Sequence, residues 1–326
     1  TMLTAGGRTF RYNDTHGGCK GILVGSLLGS YHDQPLMRWF ADYVAEKSGD
    51  RPQYVPYALM WRDEKPTPEF PGLPTLSVLE DLNWGVMRSE PVLSPALIVG
   101  VKGNEGPLSH HAQRDLGSFV LHVAGDRMLV DRGYNHKGAD EHTLPLIDGQ
   151  GPGKTGSRIV EASEKGPWRM MTLDSTKAYG EHARRVRRHL VMHGSDTLIV
   201  LDDLLPAEGK PGKIATQFQT DKKVKVDGRS AIVGDRRGPV LVLTTFGPDI
   251  ALKHRKTPRA LVGEYTAVED TPLVTVIQVA ESLDAAGELK VPSVERDGDA
   301  IAVALPDGAT ARFVNGDRGW RPEANE

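Results

Sequence analysis

The chain has 326 residues, of which 39% are apolar and 25% charged, with 36 glycines besides. That balance excludes a largely disordered chain and supports a sizeable buried core. Forty Lys and Arg against 43 Asp and Glu leave a formal charge of −3, so no global field draws nucleic acid or an anionic membrane, and a polyanionic ligand needs a local patch. The single cysteine, Cys19, excludes an internal disulfide framework. The longest apolar run, residues 21–28, is broken by glycine and far too short to span a membrane. The opening TMLTAGGRTF has neither a basic nor a strongly apolar segment, so no signal peptide is expected in this chain.

The first quarter reads as helical. Residues 20–31 place Ile22, Leu23, Leu27 and Leu28 at mixed three- and four-residue spacings. Asp33 and Pro35 open a second helix in which Leu36, Met37, Phe40, Tyr43 and Val44 share a face, up to a stop at Ser48–Gly49. A short third helix is expected over residues 54–61, although Pro56 opposes it. Pro66, Pro68, Pro71 and Pro74 then mark a linker. With the boundary near Ser77, residues 1–76 form a helical segment plus linker and residues 77–326 a β domain.

Beyond the linker the period changes. Residues 96–101, 118–124, 127–131, 190–193, 197–201, 240–244, 273–279 and 300–304 are short, rich in Val, Ile and Leu, and punctuated by Gly, Asp, Asn and Pro. This pattern predicts a large antiparallel β-sandwich rather than βαβ units. Gly125–Asp126 predicts a type II′ hairpin, pairing residue 124 with 127 and Val120 with Asp131. No internal repeat or low-complexity run is present.

Chemistry-bearing residues are unevenly spread. Eight of the 11 histidines fall between residues 110 and 193. Taken singly, each reads as a loop or core histidine satisfied by backbone partners. Taken together, the hairpin register returns Asp131 to the end of the sheet that Asp115 and His111 enter, and an irregular stretch then supplies His142. Convergence of His111, Asp131 and His142 offers N and O ligands for a divalent ion.

The run His111-Ala-Gln113-Arg-Asp115-Leu-Gly117-Ser118-Phe119, then Asp131-Arg132-Gly133-Tyr134, then His142-Thr143-Leu-Pro-Leu-Ile-Asp148-Gly149, resembles the C-terminal domain of heparinase II/III-like polysaccharide lyases. Residues 187–204 resemble the strands that follow there, and residues 11–18 resemble a loop before the last helical pair of that family's α/α toroid. The resemblance implies an α+β multidomain architecture in which the tail of an α/α toroid precedes the β-sandwich. It implies cleavage of a uronic-acid-containing polysaccharide, heparan-sulfate-like or alginate, by β-elimination, in the periplasm or outside the cell. It makes His111 and Tyr134 catalytic, and His110, Gln113 and Arg132 substrate-binding. Asp131 and His142 become ligands of a divalent metal, zinc or calcium. Gln113 stands where other branches of the family have a metal-binding histidine, and Thr143 replaces an asparagine. Far fewer helices precede the linker than a full toroid contains, so an N-terminal toroid part of the same protein is the implied partner, alongside the acidic glycan.

Other motifs are weaker. Arg184, Arg185, Arg187 and Arg188 are read either as a contact for an acidic glycan or as a strand whose alternate residues face solvent. Lys222, Lys223 and Lys225 read as a solvated turn, and Asp202–Asp203 as a structural pair near a turn. Residues 149–155 lack the spacing of a phosphate loop. Two rival functions remain: a non-catalytic glycan-binding or structural β domain, and a metal-dependent hydrolase, the latter disfavoured by the absence of a His-Glu-x-x-His motif.

Overall fold

The computed structural model describes residues 3–4, 8–10, 27–30, 32–48, 60, 66, 68–106, 111–136, 138–208, 212–267 and 271–323. Antiparallel β structure dominates these residues. A short ribbon pairs β1 (Leu3–Thr4) with β2 (Arg8–Thr9). The helix Pro35–Ser48 forms where the apolar spacing predicts it, and residues 27–30 are helical. The remainder of the first expected helix and nearly all of the third lie outside the described residues. No helix among the described residues is long and apolar enough to cross a membrane.

After the proline-rich linker, strands resume at Leu76. A five-stranded meander comprises β3 (Leu76–Leu79), β4 (Trp84–Arg88), β5 (Leu97–Lys102), β6 (Phe119–Val123) and β7 (Asp126–Leu129). After the short β8 (Pro145–Ile147) come β9 (Arg158–Lys165), β10 (Trp168–Asp174), β11 (Ala183–His193) and β12 (Thr197–Pro206). Next are β13 (Gly212–Gln219), β14 (Val224–Asp227), β15 (Ser230–Gly234), β16 (Val240–Phe246), β17 (Ala251–Lys256), β18 (Arg259–Ala267) and β19 (Leu273–Ala280). A C-terminal meander closes the chain: β20 (Ser293–Asp297), β21 (Ala300–Ala304), β22 (Thr310–Gly316) and β23 (Gly319–Pro322). The central sheet has eight strands in the order β14-β15-β16-β19-β12-β11-β10-β9, and a four-stranded sheet runs β17-β18-β13-β8.

The central sheet is apolar on both faces because both are covered. Leu190, Met192, Leu198, Val200 and Ile277 face Phe119, Leu121, Met128 and Phe218 of the five- and four-stranded sheets. Their neighbours Val191, Ile199, Leu201, Val274 and Val276 face Ile301, Val303, Phe313 and Trp320 of the C-terminal meander. Successive residues of a strand point to opposite faces, so continuous runs such as TLIVL are what a sheet buried on both sides requires.

Two expectations about local structure need correction. The hairpin loop is Ala124–Gly125, with φ of +47° and +88°, which is the double positive φ of a type I′ turn, not type II′. Val123 consequently pairs with Asp126, and a bulge sets Leu121 opposite Leu129, so Asp131 does not pair with Val120 and lies beyond the end of β7. Nor do alternate residues of the arginine run face solvent: Arg184 is exposed, Arg185 and Arg187 are half-buried and Arg188 is buried. Arg187 and Arg188 stand opposite Asp203 and Asp202 within the β11–β12 ladder, and Arg188, Asp202 and Asp203 are all buried.

Candidate functional site

The chain reverses between the end of β5 and the start of β6, and that reversal builds one wall of the site. Gly117, at φ +80°, donates its N–H to the Lys102 carbonyl at 2.9 Å, and the Lys102 N–H donates to the Ser118 carbonyl at 3.1 Å. This places the Asp115 carboxylate on the Lys102 ammonium as an ion pair with almost no solvent exposure. The opposite wall is the segment after β7. Asp131 Oδ1 accepts the Gly133 N–H at 2.9 Å, and Gln113 Nε2 donates to the Gly133 carbonyl at 2.9 Å, tying the two walls together. His142 enters after a one-turn 3-10 helix, Ala139–Glu141, and its Nδ1 lies 2.8 Å from Asp131 Oδ2.

Arg188 braces both loops from beneath. Its Nε and Nη2 donate to the two Asp202 oxygens at 2.7 and 3.1 Å, while Nη1 donates to the carbonyls of Gly117 at 3.0 Å and Thr143 at 2.8 Å. A planar fork can serve a carboxylate and two carbonyls at once, a geometry that lysine lacks. Gln219 closes the remaining side: its backbone N–H donates to Thr143 Oγ1 at 3.0 Å and its Nε2 to the Asp140 carbonyl at 2.9 Å.

Ligand atoms of Asp115, Asp131 and His142 all lie within 4.8 Å of one another, and all three residues are buried. Asp115 Oδ1 and His142 Nε2 are buried without a hydrogen-bond partner among the described residues. Burial depresses the His142 pKa most strongly among the influences on it, yet the charge and hydrogen bond of Asp131, aided by Asp115, raise it on balance against the opposing Lys102 ammonium. Asp115, Asp131 and His142 offer the O and N donors that a divalent ion such as zinc takes, and the Asp131 contact at Nδ1 orients the imidazole. Lys102 already supplies one positive charge to this group, so an ion there would share Asp115 with it.

The structure brings together only part of the expected set. Asp131 and His142 meet as anticipated, but Asp115, which is buried on Lys102, completes the trio in place of His111, which is exposed. Gln113 is 1% exposed, within the wall. Tyr134 is 45% exposed beside Gly133. The Arg132 guanidinium is held by the Arg259 carbonyl at 2.8 Å and by Asp221 at 3.6 Å, on the side of β18. His110 lies outside the described residues. The other histidines disperse: His122 packs edge-on against Phe10, His136 bonds Glu141, His189 bonds Thr172 and His193 bonds Asp307. Sequence reasoning missed the roles of Lys102 and Arg188. For Arg188 a signal existed, since the 193-to-197 hairpin register sets it opposite Asp202.

No family model and no curated protein matches the sequence. Solved structures do match. A heparinase III with methylated lysines superposes at TM-score 0.71 and 14% identity, over 96% of this chain and 50% of that one. Heparan sulfate lyase HepC from Pedobacter heparinus gives TM-score 0.69 and 15% identity, over 99% and 50%. The chondroitin AC lyase of Streptomyces coelicolor A3, in complex with chondroitin sulphate, gives 0.51 and 12%, over 96% and 52%. The chain spans about half the length of each. At these identities the shared property is the fold, and the chain has the fold of the heparinase-like lyases.

Proposed function

We propose that this chain is the β-sandwich portion of a polysaccharide lyase that cleaves a uronic-acid-containing glycan, heparan-sulfate-like or alginate, by β-elimination. One coincidence carries the reading. The lyase fold extends over nearly the whole chain, and the motif that suggested it contains both a buried Asp115–Asp131–His142 group and the exposed His111 and Tyr134. On this reading residues 27–48 belong to the tail of an α/α toroid, and the protein works in the periplasm or outside the cell.

In such a reaction the C5 proton of the uronate is weakly acidic, so its carboxylate must be neutralised before a base removes the proton. A Tyr or His takes that proton and another is passed to the leaving O4. His111 and Tyr134, both exposed, are assigned to the reacting sugar. His110 and Arg132 are assigned to the glycan. Buried Gln113 holds the Gly133 turn that carries Tyr134. Asp131 and His142, with Asp115, would hold a divalent ion, whose chemistry there is to fix the loops and add positive charge near the substrate carboxylate. A toroid part of the same protein supplies the remaining uronate-neutralising and proton-transferring groups.

Ultraviolet absorbance during incubation with heparan sulfate, alginate and hyaluronan tests this, because elimination leaves a conjugated C4–C5 double bond and hydrolysis does not. A rise with one glycan, from this chain or from a longer product carrying the toroid, is expected. The chain's half-length match to whole lyases favours a second reading, a non-catalytic glycan-binding or structural domain, and flat traces from both proteins would count against the lyase reading and for that one.

A further inference from the structure

A cleft of about 800 Å³ has no residue in common with the Asp115–His142 group. It runs between β9–β11 and the β22–β23 hairpin, and continues into a second hollow of about 420 Å³ with which it shares Arg158, Arg187 and Arg318. The hairpin is clamped in place. Trp320 is fully buried and its backbone N–H donates to buried Asp203 at 3.0 Å, while Arg187 donates to the Arg318 carbonyl. Gly319, at φ +91°, lies so close to the Asp203–Arg185 pair that a Cβ would stand 2.6 Å from Arg185 Nε. The tip therefore projects Arg318 over the cleft from a fixed base.

Arg158, Arg318 and Arg321 are exposed, line the same cleft, and make no side-chain hydrogen bond or ion pair among the described residues. Across both hollows seven Arg and Lys face four Asp and Glu, in a chain whose overall charge is negative. Arginines that a protein uses structurally carry carboxylate or carbonyl partners, as Arg185, Arg187 and Arg188 do here. Three guanidiniums with open forks around one cleft present bidentate donors for oxyanions.

We infer that this cleft is an accessory binding site for an acidic glycan, recognising its sulfate or carboxylate groups through Arg158, Arg318 and Arg321. The choice of glycan rests on the lyase reading above. Within the cleft, Glu161 and Asp317 offer acceptors for sugar hydroxyls, and no exposed aromatic ring is present on which a nucleic-acid base would stack. The site holds the polymer away from the reacting sugar.

The test is binding of a heparin-derived oligosaccharide to the whole chain by calorimetry, comparing wild type with the Arg158→Ala/Arg318→Ala/Arg321→Ala variant. Because these side chains are exposed and unpartnered, melting temperature should be unchanged. Affinity should fall on the order of tenfold or more, with a shallower salt dependence. Unchanged affinity in the triple variant overturns the inference, and so does equal or tighter binding of single-stranded DNA. Arginine-dependent glycan binding without turnover leaves the accessory site standing while the lyase reading fails, so the two failures are distinguishable.

Discussion

Asp131 and His142 meet at 2.8 Å, both buried, joining the segment after β7 to the turn that precedes β8. Neither residue lies in a strand, so this contact, with the Lys102–Asp115 pair beside it, carries cohesion that no sheet ladder supplies. A buried carboxylate–imidazole contact is stable only when the charges around it are balanced. Here Lys102 neutralises Asp115, and the charge and hydrogen bond of Asp131 raise the His142 pKa against the opposing effect of burial.

A divalent ion would add positive charge between the two carboxylates and the imidazole. Zinc or calcium added to the dialysed protein should therefore raise the melting temperature of wild type and leave His142→Ala and Asp115→Asn unresponsive. Differential scanning fluorimetry with and without a chelator checks this. An equal response in wild type and variants would mean that the ion binds elsewhere.

His111 tests the chemistry separately from the scaffold. It is exposed and lies outside the buried trio, so His111→Ala should leave unfolding within about 0.5 kcal/mol of wild type. On the lyase reading the same change abolishes the absorbance rise in whichever protein shows one. Wild-type turnover in the variant would remove His111 from the site.

Arg188→Met should be among the most damaging single substitutions. It leaves buried Asp202 uncompensated and frees the carbonyls of Gly117 and Thr143, the positions that aim Asp115 and His142. Breaking a buried pair of this kind costs about 3–5 kcal/mol. Arg188→Lys should recover little of it, since an ammonium cannot span four acceptors. Urea denaturation is the measurement. Arg188→Met/Asp202→Leu should be more stable than Arg188→Met alone.

These dependences show where the sequence was readable. β12 and β19 were legible because a doubly covered sheet demands continuous Val, Ile and Leu, and the helix Pro35–Ser48 because its apolar stripe has the helical period. The site was half legible: Asp131 and His142 stood in motifs of strong resemblance. Asp115 was in view but displaced by His111, because which of the two turns inward depends on the path of the loop, which composition and spacing do not show. Lys102 carried no signal. At the end of an apolar strand a lysine reads as a solvated terminus, and its burial depends on a carboxylate 13 positions away.

Buried neutral histidines give the last prediction, a dependence of stability on acid. Burial pushes the His122 imidazole down to about 3, with the facing Arg127 guanidinium adding to it, and burial does the same to His189. Their folded pKa values lie below the unfolded value of about 6.5, so the unfolded chain binds the proton and the folded chain does not. Stability from this source is fully present above about pH 6.5 and is lost as pH falls toward about 3. At pH 5 each histidine contributes a loss of about 2 kcal/mol relative to neutral pH. His122→Leu keeps an apolar contact for Phe10 in the core and has nothing to titrate, so its urea midpoint should fall less than that of wild type between pH 7 and 5. Parallel pH profiles for the two proteins would show that His122 already has access to solvent protons in the folded state.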